Sequence, residues 1–294
     1  MPDKAPGTQT LDGALADAVA LGLGRQDSQR LLLHALHKPA TDRAWLIAHD
    51  RDTIEAAAQG RFDEFTRRLA SGEPLAYILG QQEFFGLLLK VDPRVLIPRP
   101  DTETLVDWAL KLGPAYPDEG SVGFKVLDLG TGSGAIALAL KAGRPAWDVS
   151  AVEASADALA LARENAQALG LAVTMEPGHW LDQINGSFDL IVSNPPYVRE
   201  GDEHLAALRH EPLQALTAGA DGLADFRQII EHAPGHLRVG GWLLLEHGYD
   251  QASDLRQLLL NKGFEAVSCR SDLAGIPRCS GGRWPGAGNP PESA

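Results

Sequence analysis

The run "VLDLGTGSGAIAL" (Val126 to Leu138) constrains the fold more than any other stretch of this chain. Four residues of strand character lead directly into Gly130, Gly132 and Gly134, and these into an Ala/Leu-rich helical pattern. Glycine tolerates positive φ and lets another group come close to the backbone. The run therefore reads as the strand, tight turn and helix that open a parallel α/β sheet. The same alternation continues downstream. Strand patterns lie at Val149–Glu153, Ala172–Met175, Phe188–Val192 and Trp242–Glu246, with helical patterns through Ala158, Leu161 and Ala162 and near Phe226–Ala233. Two more strand candidates, near Ala266–Ser268 and Arg278–Gly281, bring the total to seven. This alternation predicts an α/β fold with a doubly wound, mainly parallel sheet.

The chain before this region has a different pattern. Leu11, Ala14, Leu15, Ala18, Val19 and Leu23 recur at helical spacing, with Gly24 placed to stop the helix. A second helical pattern covers Ser28–Leu36, and Thr41 or Asp42 can cap a third around Trp45, Leu46 and Ile47. A longer helix is expected from Asp52 to Leu69, with Phe62, Phe65 and Leu69 on one face. Residues 73–100 carry short β-type runs broken at Gly86 and Asp92-Pro93, as in a hairpin or extended connector. Pro98 and Pro100 hold the backbone extended before a helix that opens at Asp101-Thr102-Glu103. The expected division is a helical bundle at 1–75, a hairpin or linker at 76–100, an α/β domain at 101–284 and a disordered tail at 285–294, with a turn-rich loop at 113–123.

Composition excludes several classes. The 294 residues are 44% hydrophobic and 22% charged, an ordinary balance for a soluble globular protein. A net charge of −13 repels nucleic acid, so no direct nucleic-acid partner is expected. Two cysteines, Cys269 and Cys279, with no Cys/His ligand spacing, predict reduced thiols and no metal site. The first residues hold no apolar signal segment, and no apolar run reaches the length of a membrane span. A cytoplasmic protein is expected.

The glycine turn at the carboxyl end of a first strand is where an open α/β sheet binds a nucleotide. The spacing itself also fits a dinucleotide, because Ala135 can serve as its last small residue. Asp128, two residues before the first glycine, suits a cationic ligand better than a pyrophosphate. S-adenosyl-L-methionine carries a sulfonium and an ammonium and no phosphate. Glu153 ends the second strand, roughly twenty residues beyond the glycines, where an acid can accept from ribose hydroxyls. Trp180 can offer a flat face to adenine or can be a core side chain; His179 and Asp182 receive no role.

The fourth strand runs into Ser193-Asn194-Pro195-Pro196-Tyr197. Proline cannot continue a central strand or enter a helix interior. The side-chain oxygen of Asn194 and the carbonyl of Pro195 offer two acceptors to the two hydrogens of a planar –NH2 group. The prolines hold those acceptors still. Tyr197 can pack on the incoming group. An amide and an aminopurine both fit this arrangement.

The combination resembles the amino-methyltransferases that use S-adenosylmethionine, and five stretches, these two motifs among them, narrow the resemblance. "RRLASGEPLAYILGQQEFFGLLLKVDPRVLIPRPDTETLVDWAL", "VLDLGTGSGAIALAL", "SNPPYV", "HEPLQALTAGADGL" and "DLAGIPR" are similar to the peptide chain release factor N5-glutamine methyltransferases, over nearly the whole chain to about Arg283. Ile97–Glu103 discriminates best, looking unlike the sister branch that acts on a ribosomal protein. One departure is Glu153, where aspartate is expected; the longer acid keeps the ribose-binding chemistry. The resemblance implies a Rossmann-like class I methyltransferase domain. It implies that Gly130, Thr131, Gly132, Ser133, Gly134, Glu153, Trp180 and Asn194 bind S-adenosyl-L-methionine, leaving S-adenosyl-L-homocysteine as product. It further implies that Asn194, Pro195, Pro196 and Tyr197 bind the glutamine of the Gly-Gly-Gln motif in class-1 release factors, with Asn194 and Pro195 carrying the catalysis. The helical domain is then expected to grip the release factor, and the enzyme to act as a monomer. Three rivals remain: a ribosomal-protein glutamine methyltransferase, a DNA N6-adenine methyltransferase, which the charge disfavours, and a cofactor-binding module without activity.

Overall fold

The computed structural model describes residues 9–114 and 123–286. Most of the expected 113–123 loop and most of the expected tail lie outside them. The chain divides into two compact units, Met1–Gln81 and Gln82–Ala294.

The first unit is helical: α1 (Leu11–Ala20), α2 (Arg25–Ala35), α3 (Arg43–Ala48), α4 (Ala56–Ala70) and α5 (Leu75–Leu79). Thr10 caps α1, its Oγ1 accepting from the Gly13 N–H at 3.2 Å, and Asp42 caps α3 by accepting from the Trp45 N–H at 3.1 Å. Gly24 does not end α1, which stops at Ala20; it stands at the N-cap of α2. Helix α4 starts at Ala56, four residues later than its apolar pattern suggests. Leu11, Leu15, Leu31, Leu32, Leu33, Leu46, Ile54 and Phe62 form the core. Arg61 closes the carboxyl end of α2, donating to the Ala35 carbonyl from Nε and Nη2 at 2.8 and 2.6 Å.

A hairpin of β1 (Gln81–Phe84) and β2 (Leu87–Lys90) opens the second unit. Its two-residue turn puts both Phe85 and Gly86 at positive φ, 49° and 77°. The elements that follow are α6 (Glu103–Leu112), β3 (Lys125–Leu129), α7 (Ala135–Gly143), β4 (Asp148–Glu153), α8 (Ala156–Leu169), β5 (Thr174–Pro177), β6 (Phe188–Ser193), α9 (Ala224–His232), β7 (Leu237–Glu246), α10 (Ala252–Lys262), β8 (Glu265–Ser271) and β9 (Pro277–Arg283). Strand β5 begins later than the Ala172–Met175 run suggests, because Leu171 and Val173 pack onto the core ahead of the ladder. The hairpin is tied to α8 through Asn165, whose Oδ1 accepts from the Lys90 N–H at 2.8 Å while its Nδ2 donates to the Lys90 carbonyl at 3.0 Å.

Among the described residues these strands form a seven-stranded sheet in the order β5-β4-β3-β6-β7-β9-β8. The pairs among β3 to β7 are parallel; β9 runs antiparallel to both β7 and β8. Successive side chains point to opposite faces. Val126, Val149, Leu190, Val192 and Leu244 therefore pack with Leu105, Trp108, Leu138 and Leu159 on one side. Leu127, Leu129, Val152, Ile191, Leu243 and Leu245 pack with Phe226, Ile229, Leu255 and Leu259 on the other. Burial on both faces explains why the central strands read as unbroken apolar runs. Each such side chain contributes about 1.5–3 kcal/mol by leaving water.

Candidate active site

The parallel register sets the geometry of the site. Leu129 on β3 pairs with Val152 on β4 and with Ser193 on β6, and Ser193 pairs with Leu245 on β7. The next residue on each strand is Glu153, Gly130, Asn194 or Glu246, so these four stand in one row along the carboxyl edge. The chain turns one way from β3 to β4 and returns on the other side at β6, so the row straddles the switch point where open α/β sheets bind ligands.

A cavity of about 440 Å³ opens on the cofactor side of this row, a size suited to a nucleoside-bearing small molecule. Gly130, Gly132, Glu153, Trp180 and Asn194 line it, together with Pro196, Asp225 and residues from two loops, 94–96 and 212–215. Gly130 has φ 69°, and a Cβ there would stand 3.0 Å from the Trp180 ring. This position thus needs glycine both for its backbone and for the ring beneath it. Glu153 brackets the turn: Oε2 accepts from the Gly132 N–H at 2.8 Å and Oε1 from the Ser155 N–H at 2.9 Å. Trp180 is a buried core side chain that also reaches the cavity wall, which joins the two readings open for it. Its Nε1–H donates to Asp225 at 3.1 Å. Burial pushes the Asp225 carboxyl up, partly offset by that bond.

Not every residue of the glycine turn faces the cavity. The Thr131 and Ser133 side chains are buried, and the Thr131 hydroxyl donates to Asp128 at 2.6 Å. Asp128, the carboxylate set against a cationic ligand above, is 0% exposed and outside the cavity lining. Its Oδ2 also accepts from the Ala137 N–H at 3.1 Å, while Oδ1 has no partner among the described residues. Burial lifts its pKa to about 7. Asp128 therefore clamps the turn onto α7 and stays outside the cavity lining.

On the acceptor side, β6 ends at Ser193, whose hydroxyl donates to the Leu129 carbonyl at 2.7 Å. Residues 194–197 leave the ladder, and their course is held from outside. The Tyr197 and Val198 N–H groups both donate to the Leu216 carbonyl, at 3.2 and 2.8 Å. Gln251 Nε2 donates to the Tyr197 carbonyl at 3.1 Å. The Asn194 side chain donates to the Thr102 hydroxyl at 3.4 Å. Neither Asn194 Oδ1 nor the Pro195 carbonyl takes a hydrogen bond among the described residues. Tyr197 is half-buried against the α9/α10 core, and burial raises its phenol, with the nearby Glu246 adding to the rise.

Several neighbours of the site have contacts that their sequence does not announce. Glu211 joins two loops, accepting from the Ile97 N–H at 3.1 Å and pairing with Arg99 at 2.5 Å while its side chain is 3% exposed. Such charge-assisted bonds are stronger than neutral ones. Asp101 pairs with Arg278 at 3.1 Å, and Arg278 also holds Asp272 at 3.0 Å. Ile97–Glu103 is thus anchored by Glu211 and Arg278 and reaches Asn194 through the Thr102 hydroxyl. In the sequence Glu246 is only the end of a strand run. It is 1% exposed, and its pKa is raised to about 7 by burial, against hydrogen bonds from Thr102 and Asn194. Among the described residues no group of three His, Cys, Asp or Glu could hold a metal, and no helix is long and apolar enough to cross a membrane.

Comparison with known proteins adds independent findings. Residues 117–269 match the methyltransferase small domain, and residues 14–80 match the PrmC N-terminal domain. A protein of Bordetella pertussis is 47% identical over 89% of this chain and 95% of its own length; one of Pseudomonas aeruginosa is 47% identical over 88% and 92%. A third, from Coxiella burnetii, is 44% identical over 86% and 90%. All three are named release factor glutamine methyltransferase. Among solved structures, a methyltransferase of Pyrococcus furiosus superposes with TM-score 0.53 at 21% identity, over 76% of this chain and 100% of its own. A 16S rRNA N2 methyltransferase of T. thermophilus, solved with AdoMet and guanosine, gives 0.51 at 22% identity over 69% of this chain and 49% of its own. At such identities these structures show the fold, a Rossmann-like methyltransferase domain.

Proposed function

Because this chain belongs to the release factor glutamine methyltransferase family, we propose that it methylates the side-chain amide nitrogen of the glutamine in the Gly-Gly-Gln motif of class-1 release factors, with S-adenosyl-L-methionine as donor. The observation that carries the reading is the row at the carboxyl edge. Gly130 and Glu153 line a nucleoside-sized cavity, and Asn194 with Pro195 stands next in the row. The residues present fit the donor: a glycine-only approach over Gly130, an acid at Glu153 for ribose hydroxyls, and a ring at Trp180 beside the cavity. The bound donor supplies an electrophilic methyl carbon attached to a sulfonium.

The chain's own residues then meet the difficulty of the acceptor. An amide nitrogen is a weak nucleophile because its lone pair is shared with the carbonyl. Asn194 Oδ1 and the Pro195 carbonyl would accept its two N–H bonds and turn the nitrogen toward the cavity. Two carbonyl dipoles aimed at that nitrogen favour the positive charge it develops in the transition state. Pro195 and Pro196 lower the cost of holding this geometry. In this reading the departing proton goes to solvent, the helical unit grips the release factor away from the glutamine, and the enzyme acts as a monomer. The test is incubation with methyl-labelled donor and a purified bacterial class-1 release factor, followed by mass mapping. One methyl on the Gly-Gly-Gln glutamine is expected; label on a ribosomal protein or on duplex DNA would assign the other substrates instead.

A further inference from the structure

Asparagine is ambidentate: one edge of its amide accepts and the other donates. The proposed role of Asn194 needs its oxygen toward the acceptor, because its –NH2 would oppose the –NH2 of an incoming glutamine. The covalent structure of Asn194 does not decide which edge faces out, so its surroundings must.

Two buried side chains stand next to its amide. The Asn194 Nδ2–H reaches the Thr102 hydroxyl at 3.4 Å. Glu246 follows Leu245, the register partner of Ser193, so it stands beside Asn194 on the neighbouring strand. Thr102 and Asn194 both favour its charged form, against the burial that disfavours it. Thr102 is 4% and Glu246 1% exposed, and neither lines the cavity. A carboxylate can only accept, and a hydroxyl that donates to it can still accept from a third group. Together they offer Asn194 partners for its –NH2. One carboxyl oxygen, Oε2, remains without a partner among the described residues, which is costly for a group so fully enclosed. Keeping an acid at that cost calls for a role that an apolar side chain could not fill.

We propose that Glu246, with Thr102, is the positioning pair that fixes the Asn194 amide with its oxygen toward the acceptor. The proposal rests on the reading that Asn194 receives the substrate amide. An ionised Glu246 also draws on the Asn194 N–H bonds and so makes Oδ1 a better acceptor for a nitrogen gaining positive charge. A protonated Glu246 can donate, and the orientation is then no longer specified. The groups that act on Glu246 are Asp101 and Thr102 ahead of α6, Asn194 and Tyr197 after β6, and Arg278 and Cys279 on β9.

The experiment compares wild type with Glu246→Gln, Thr102→Val and Thr102→Ser, using a purified bacterial class-1 release factor and labelled donor. Glu246→Gln keeps the shape but adds a donor. Its kcat should fall by about 10–100-fold, the range of one preorganised polar contact, with donor Kd by calorimetry within about twofold, since Glu246 lies outside the cavity. Wild-type kcat should fall as pH drops below about 7, and this limb should vanish in Glu246→Gln. Thr102→Val should lose part of the rate and Thr102→Ser should regain it. A readout free of turnover is the Asn194 side-chain amide resonance, assigned by its loss in Asn194→Ala. It should titrate with Glu246 in wild type and stay fixed in Glu246→Gln. Wild-type kcat and pH profile in Glu246→Gln, or an Asn194 resonance indifferent to that change, would overturn the proposal. Full activity in Asn194→Ala would instead overturn the acceptor reading itself; loss in Asn194→Ala with none in Glu246→Gln would sink the positioning role alone.

Discussion

The two halves of the carboxyl edge solve opposite problems. On the cofactor side the acidic group at the cavity is already held by backbone: both oxygens of Glu153 accept from N–H groups of the turn and of the start of α8. On the acceptor side the backbone has left the ladder; Asn194 lines the cavity, Pro195 is buried beside it, and neither Asn194 Oδ1 nor the Pro195 carbonyl takes a hydrogen bond among the described residues. The first half is a preformed cradle built from glycine and register. The second is a pair of free acceptors made rigid by proline and by buried side chains behind them. In the function proposed, affinity for the donor comes from the first and rate from the second.

Truncating one residue on each side should separate them most widely. Asn194→Ala should lower methyl transfer by about 100-fold or more, as loss of a preorganised polar contact does, with donor Kd nearly unchanged. Glu153→Ala should show the reverse, weakening donor binding by about 10–100-fold for a lost charged hydrogen-bonding partner, with kcat at saturating donor largely kept. Calorimetry and labelled transfer on the same preparations check both. Equal losses of affinity and rate in either variant would erase the distinction.

A subtler break concerns the backbone behind Tyr197. Gly222 has φ 71°, and a Cβ there would stand 2.4 Å from the Tyr197 carbonyl oxygen. Gly222→Ala must shift the acceptor segment at a strain of about 1–3 kcal/mol. The release factor KM should rise and kcat fall, each by about tenfold, while donor Kd stays put. A change in donor Kd of the same size would mean that the halves share one backbone.

The smallest effect compares the two buried acids. Both carboxyls are raised, Asp128 from 3.8 and Glu246 from 4.5, each to about 7. A carboxyl whose folded pKa lies above its unfolded value holds stability that is present at low pH and lost as pH rises through the folded value. Each should therefore cost the wild type about 1 kcal/mol between pH 6 and pH 8. Asp128→Asn and Glu246→Gln should each remove that slope in urea unfolding, one from each half of the site. A slope untouched in one variant would place that acid's burial elsewhere.

The sequence made some of this visible and hid the rest for physical reasons. The glycine turn and Asn194–Tyr197 were legible because consecutive residues carry them and each needs a special backbone. Continuous apolar runs announced strands buried on both faces. The sequence placed the charge of Asp128 near the turn but not its side chain's bonds, which run into the Thr131–Ala137 clamp. Glu246 and Thr102 were silent, because they meet Asn194 only through strand register and packing. Glu211 acts on Ile97 across 114 positions. Helix α5 has only five residues, too few for a periodic signal.

The strand order also has a consequence for how the enzyme is made. Strands β3, β4 and β5 are consecutive in the chain and adjacent in the sheet, whereas β6 must come back past β3 to pair with it, 64 residues on at the Ser193–Leu129 bond. Long-range parallel pairing is slow because loop closure comes before its reward. As the chain leaves the ribosome amino end first, the glycine turn and Glu153 are made before Asn194, and Glu246 arrives later still. A chain cut off before Phe188 would carry the glycine turn and Glu153 but lack Asn194, the 212–215 loop and Asp225 from the cavity, so unfinished copies of this protein carry only part of the site.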